Sequence, residues 1–329
     1  MNRLWLLGAV SLVVILLAVG IGSVFISPAM VIHILLGGQN ATPMQISILQ
    51  NIRLPRVLMA YVCGAGLSLS GVVMQSVLKN PLASSYTIGT STGAAVGASI
   101  AIVFGLHFFG AFTIPIFGFL FAILTVVAGI SISAKFSALE NTTLILVGMA
   151  ISFFGGAILT LLVTIYSNEM QRLIFWQMGN VSGIPLHTVF LLAIFIVICL
   201  SLTYLKHKEL DIITMDDLTA ASFGVDIKKV KWLMLILSAV LTGAIVSFVG
   251  IIGFVDLFTP PVARRLVGNK HRHVLLASAL LGGSFMVLCD LIARTALSPI
   301  ELPIGAITAL FGGPLFIYLY LRGIAHAHR

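Results

Sequence analysis

The sequence predicts an all-α polytopic membrane protein with ten transmembrane helices, and three observations lead there. Only 9% of the 329 residues are charged while 59% are apolar, with a mean hydropathy of +1.15. A soluble domain is about 25% charged, so a soluble enzyme of this length is excluded. The apolar residues collect in ten runs, and ten spans of about 22 residues would occupy roughly 220 residues and leave only short connections. One transmembrane domain over residues 1–329 is therefore expected. The 18 Lys and Arg outnumber the 10 Asp and Glu, for a net charge of +8. In so apolar a chain that surplus must sit in loops, where it reports orientation in a lipid bilayer; no nucleic-acid partner is expected.

The first run, Leu4 to Ile26, follows Arg3 and starts like a secretory leader, but its core is too long and no A-x-A site follows. A retained first helix is expected. Further runs cover Arg56–Leu78, Tyr86–Phe104, Phe112–Ala134, Thr143–Ile165, Leu186–Leu205, Trp232–Phe248, Val249–Leu266, Val274–Ala296 and Pro303–Leu321. The seventh and eighth merge around Gly250 and Gly253, so hydropathy alone allows nine or ten crossings. Ten crossings from a cytoplasmic N-terminus place fourteen of the 18 Lys and Arg inside, leaving Arg53, Arg56, Arg172 and Arg294 outside. Merging the two runs divides the cations evenly. The asymmetry favours ten spans with both termini cytoplasmic.

Two connections are longer than the rest. Ser27 to Pro55 is external, and Lys206 to Lys231 is internal, with Asp211, Asp216, Asp217 and Asp226. Within the internal one, Asp217 to Gly224 reads as an acidic start, a small-residue helix around Ala220 and a glycine stop, a form suited to insertion into a groove on a cytosolic partner.

Several motifs have plain structural readings. Gly89-Thr-Ser91-Thr-Gly93 fits the G-x-S-x-G turn of a nucleophilic serine, yet no strand precedes it, so an intramembrane hydrolase using Ser91 is the weaker alternative. Gly89, Gly93 and Gly97 instead form a strip for close helix packing. No G-x-x-x-x-G-K-[ST] occurs, so ATP and magnesium would be held by a separate polypeptide, with no cofactor in this chain. Cys63, Cys199 and Cys289 lie inside apolar runs and offer no disulfide framework. His271 and His273 read as part of a solvated basic loop, with no metal site. Asp290 and Arg294 are spaced to pair along one helix. Arg53 and Arg56, with Pro55 suited to a first helical turn, could join Arg294 on an external rim, either snorkelling to lipid phosphate or capturing an acidic partner. Asp256 lies in the Gly-rich eighth run, where nothing local identifies its partner.

Arg53-Leu54-Pro55-Arg56, Ser70 to Gln75, Lys79-Asn80-Pro81-Leu82-Ala83, Ile88 to Gly93, Asp217 to Gly224, Ile252 to Val255, Asp290 to Arg294 and Glu301 to Gly305 together resemble the permease subunits of ferric-siderophore, haem and cobalamin ABC importers, the FecCD/BtuC type. The resemblance runs from about residue 4 to 323. It implies the type II ABC importer permease fold, a homodimer, two cytosolic ATPase subunits and an extracytoplasmic binding protein, in the bacterial cytoplasmic membrane. By the same resemblance, Arg53, Arg56 and Arg294 would dock the binding protein. Asn80, Leu82, Asn141 and Thr142 would narrow the inner end of the pathway, and Asp217, Ala220 and Gly224 would belong to the ATPase-coupling helix. The cargo would be an iron chelate, a ferric siderophore first, with haem or cobalamin as alternatives. An ion-coupled secondary transporter is a further reading, distinguished by independence from any ATPase. One departure stands out: Asp256 and Pro261 replace the glycine and histidine of the usual G-F-[IV]-G-L-x-x-P-H.

Overall fold

The computed structural model describes residues 2–22, 24–38, 41–137, 141–215 and 222–327. Among them the chain forms fourteen α-helices and no strand. In order they are α1 (Asn2–Gly20), α2 (Pro28–Leu35), α3 (Pro43–Ser47), α4 (Leu54–Val77), α5 (Thr90–Val103), α6 (Thr113–Ser137) and α7 (Asn141–Ile165). There follow α8 (Met170–Gln177), α9 (Leu186–Leu205), α10 (His207–Ile213), α11 (Ile227–Val249), α12 (Val255–Val267), α13 (His271–Thr295) and α14 (Ile304–Ala327). Every one of the ten apolar runs has become a helix. Among the described residues, seven helical stretches are long and apolar enough to cross a membrane, whereas Thr90–Val103 and Ile304–Leu319 are apolar but shorter. At 13 residues, α12 is about 20 Å long and falls short of a hydrocarbon core of roughly 30 Å.

The bundle is built around α4. The stretch that contains it is 83% buried, against 22% for α1 and α7. Its most extensive packing is on α13, and it also meets α11 and α12; a second group joins α5, α6 and α11. Small residues make this possible: a Cβ at Gly64 would collide with the backbone of Gly282, and one at Gly93 or Gly97 with Thr125 or Phe117 on α6. The glycine strip read from the sequence is therefore a packing strip at Gly93 and Gly97. Gly89 has another task, taking φ +85° at the turn before α5.

Pro55 does more than open a helix. Lacking an N–H, it cannot complete the α-helical ladder, and residues Ile48–Arg53 just before α4 form a π-helical turn, closed by the Leu54 N–H on the Leu49 carbonyl. The eighth run also differs from a plain helix. Residues 250–254 are non-helical, and α12 then runs through Pro260 and Pro261. Those prolines cannot donate to the carbonyls of Asp256 and Leu257, four residues earlier. The Gln75 side chain on α4 donates Nε2–H to the Leu257 carbonyl at 2.9 Å instead, and the Asp256 carbonyl packs on the Gly71 backbone, where any Cβ would clash. The departure at Pro261 is thus absorbed by α4, and the helix continues.

Substituting Gln75→Leu should leave the Leu257 carbonyl buried without a donor and destabilise the bundle by about 1–3 kcal/mol. The double variant Gln75→Leu/Pro261→Ala restores a backbone N–H at 261 and should recover part of that loss, read from thermal unfolding of purified protein. Equal melting of the single and double variants would contradict this account.

Candidate functional site

Polar chemistry in this apolar bundle is concentrated at three levels. At the end holding the start of α4, three arginines, a buried aspartate and an exposed glutamate form an ion cluster. The C-terminal carbonyls of α1 have no helical partners, and Arg53 Nη1 donates to the carbonyls of Val19 at 3.2 Å and Gly20 at 3.0 Å, with Nη2 on Val24. Arg294 donates to the Ala18 carbonyl. Arg56 reaches across to α13, with Nε 2.8 Å from Asp290 Oδ1, and Nη1 2.7 Å from Glu301 Oε1. The Asp290–Arg294 pair expected along one helix is present but longer, 3.6 Å. Asp290 is fully buried, so its first partner is Arg56, 234 residues away. Arg53 and Arg56 are 4% and 8% exposed, which corrects the picture of free cations on a rim: they are tied to carbonyls and carboxylates of their own chain. A hollow of about 210 Å³ adjoins the cluster, walled by Arg56, Asp290, Glu301 and Asn180.

At mid-depth the two non-helical stretches meet. Ser85, in the turn before α5, donates its backbone N–H (2.8 Å) and its hydroxyl (2.6 Å) to Asp256 Oδ2 in the first turn of α12. Ser91 Oγ lies 3.3 Å from Ser85 Oγ and is 1% exposed. Among the described residues no histidine bonds to Ser91, so the geometry gives it no general base. Beside this junction lies a cavity of about 440 Å³, lined by Ser84 and Tyr86 from the first stretch, Gly253 and Phe254 from the second, and Ala306 and Ala309 of α14, among others.

At the opposite end, His271 opens α13 and is 1% exposed, which corrects its reading as part of a solvated loop. Asp211 Oδ1 on α10 accepts the His271 backbone N–H at 2.9 Å and lies 2.6 Å from Nδ1; Nε2 lies 2.6 Å from Ser76 Oγ on α4. Arg264 of α12 donates to the same Ser76 Oγ at 2.8 Å. Four helices converge here. Nearby, Asn80 Oδ1 accepts the Leu82 N–H at 2.9 Å, a side-chain turn that leaves Leu82 46% exposed. Asn141 accepts from Lys231 Nζ at 3.1 Å, and Thr142 is exposed. Among the described residues, the Asn80 side chain bonds Leu82 and the Asn141 side chain bonds Lys231, and neither pair bonds the other within the chain. Gly224 takes φ +71°, as a helix-ending glycine does, while Asp217 and Ala220 lie outside the described residues. In the same segment, the Lys206 hydrogen bond holds the Glu209 carboxyl below its usual pKa, and acceptance of the Lys229 N–H does the same for Asp226.

Residues 10–322 match the model of the FecCD transport family. The chain belongs to that family. The FecCD chain is 40% identical over 283 residues to the uncharacterised ABC transporter permease YvrB of Bacillus subtilis, covering 85% of this chain and 80% of that one. It is 36% identical to the molybdate import permease MolB of Haemophilus influenzae, over 85% and 84% of the two chains. Further relatives are named as import permeases for Fe(3+)-citrate (Bacillus subtilis), hemin (Yersinia pestis) and cobalamin (Halobacterium salinarum), at 31%, 35% and 38% identity. Among solved structures, a chain of an ABC transporter in an inward-facing conformation, described as of the metal-chelate type, superposes with a TM-score of 0.87 at 32% identity, covering 98% of this chain and 99% of that one. The FecCD chain is accordingly a multi-pass ABC transporter permease, a transport component and not a catalytic one.

The partners of two buried polar residues were hidden from spacing. Asp256 was visible as a charge without a partner, and its partner Ser85 lies 171 residues earlier. His271 bonds Asp211, 60 residues away, and only its basic surroundings are visible in the sequence.

Removing Asp290 from the cluster by Asp290→Ala leaves Arg294 without its paired carboxylate and Arg56 with only the exposed Glu301, and should cost about 3–5 kcal/mol. The apolar pair Arg56→Met/Asp290→Leu should regain much of that stability, measured by unfolding in detergent. A mild Asp290→Ala variant would show that the cluster is solvated.

Proposed function

We propose that this FecCD permease is the membrane-spanning subunit of an ATP-driven importer for an iron chelate, a ferric siderophore first, with haem or cobalamin as the alternatives. The observation that carries the reading is the superposition on a metal-chelate type ABC transporter over nearly the full chain. Relatives named for Fe(3+)-citrate and hemin support iron, and the molybdate relative marks the breadth of the family. Size supports a chelate over a bare ion, since 440 Å³ in one chain falls within the range of small-molecule sites, about 300–1,000 Å³. In this reading the chain crosses the bacterial cytoplasmic membrane ten times with both termini inside and pairs with a second permease copy. Two ATPase subunits supply ATP hydrolysis and its magnesium. Chelate uptake into vesicles should require ATP and the ATPase and survive collapse of the proton gradient. Ala220→Arg should abolish uptake and release the ATPase while the permease still inserts. Uptake that follows an ion gradient without ATPase would overturn the reading.

An extracytoplasmic binding protein would dock over the arginine cluster, where Arg53, Arg56 and Arg294 outnumber Asp290 and Glu301 and leave a net positive field beside the 210 Å³ hollow. Because the cations are internally bonded, the field would act mainly on encounter rate. The affinity of the binding protein for the permease in nanodiscs should fall as salt rises, and a flat salt series would remove the role.

Asn80, Leu82, Asn141 and Thr142 would form the inner gate, with Leu82, exposed in one chain, meeting its counterpart across the dimer axis. Leu82→Cys in both copies should cross-link with a yield that changes between nucleotide-free and ATP-bound states. A yield indifferent to nucleotide would count against a moving gate.

A further inference from the structure

Of the two deeply buried carboxylates among the described residues, only one is met by cations. Asp290 faces Arg56 and Arg294. Asp256, 1% exposed, has Oδ2 occupied by the two Ser85 donors, while Oδ1 has no hydrogen-bond partner. No Lys, Arg or His lines the adjoining 440 Å³ cavity, and Asp256 is the one acidic side chain among its described lining residues. The remaining wall is mostly apolar, including Met178, Ile251 and Leu257, with Gln177 and Tyr86 as further polar points. A ligand site has this character: an apolar surface with a few placed polar groups.

An unsatisfied buried acceptor carries a desolvation cost that any incoming donor would relieve. Ser85 explains one carboxylate oxygen, since it ties the turn before α5 to the start of α12. An amide or hydroxyl could do that as well. The second oxygen is left without a structural use, and the carboxyl group borders the cavity. We propose that Asp256 makes this wall an anionic subsite that takes a cationic or hydrogen-bond-donating group of the cargo and disfavours a polyanionic one. The proposal rests on the importer reading for the identity of the occupant. It deepens that reading by naming the kind of chelate admitted: one whose surface presents amine, amide or hydroxyl donors.

The test reads the charge of the cavity without cargo, binding protein or ATPase. Cysteine is placed on the cavity wall by Ala309→Cys, and in a second series by Ala306→Cys, in the full-length purified permease. The parent chain, whose three cysteines are buried, serves as the blank. Reaction rates are compared for a trimethylammonium-ethyl, a sulfonatoethyl and a neutral methyl methanethiosulfonate. An unscreened charge within several ångströms changes local ion concentration by an order of magnitude or more. The cation-to-anion rate ratio should therefore fall at least about tenfold on Asp256→Asn, which keeps an acceptor for Ser85, and similarly on Asp256→Gly, while the neutral reagent reacts equally throughout. A ratio unchanged by Asp256→Asn overturns the proposal. So does a parallel change for all three reagents, which would mean that the side chain only shapes the turn, and so does the absence of reaction at both positions. None of these outcomes bears on ATP-dependent uptake, so the subsite and the importer reading can fail separately.

Discussion

The two hydrogen bonds from Ser85 to Asp256 tie the turn before α5 to the first turn of α12, just past the non-helical residues 250–254, inside an otherwise apolar bundle. Hydrocarbon offers no partner for a backbone amide, so such interruptions survive only where protein satisfies them. Here the turn before α5 is served by Asp256 of α12 and by bonds of its own, and the Gly250 N–H bonds back to Val246. The Thr90 N–H bonds the Ser85 carbonyl, the Gly89 N–H bonds Tyr86, and Asp256 takes the Ser85 N–H. The shortness of α5 and α12 follows from the same arrangement, since both begin only after their interrupted stretch. A cavity walled by both stretches is the geometric result, as broken helices facing each other cannot fill the space that continuous ones would.

The second set of dependencies runs along α4. Its polar side chains meet different helices at successive levels: Arg56 on Asp290 of α13, Ser68 on Thr259 of α12, Ser70 on Ser238 and Thr242 of α11, Gln75 on Leu257 of α12, Ser76 on His271 and Arg264. In a membrane, apolar contact distinguishes poorly between a neighbouring helix and lipid, so interhelical polar bonds and small residues decide which helices stay together. The helix richest in both is the one at the centre. The helices with few of them, such as α7 and α9, present Phe153, Phe154 and Ile194 to the surroundings.

The fold was legible in the sequence wherever it depended on hydropathy and local turn chemistry. The ten runs and the packing role of Gly93 and Gly97 needed no knowledge of distant residues. The partners of charged groups were a different matter. Arg56 could be placed at a helix start, but its contact with Asp290 spans 234 positions, and the nearer residue Arg294 offered a plausible and weaker partner at four-residue spacing. The Arg-Leu-Pro-Arg motif placed Arg53 correctly at a helix end. It could not reveal that the open carbonyls of α1 would draw the guanidinium inward. His271 was misread for a related reason: a basic stretch reads as solvated unless the acid that buries it, here Asp211, is already known.

The departures at Asp256 and Pro261 also belong together physically. A proline at 261 removes the donor for the Leu257 carbonyl, and Gln75 replaces it from α4. One residue earlier, Pro260 frees the Asp256 carbonyl, which rests on the Gly71 backbone. The backbone of residues 256 and 257 is thus fixed against α4 from one side, while the Asp256 side chain is fixed to Ser85 from the other. Held at both, Asp256 has little freedom to reach a cation elsewhere. Its unpartnered oxygen is therefore a property of the packing around α12, set by the same prolines and by the close approach of α4, and not an accident of one rotamer.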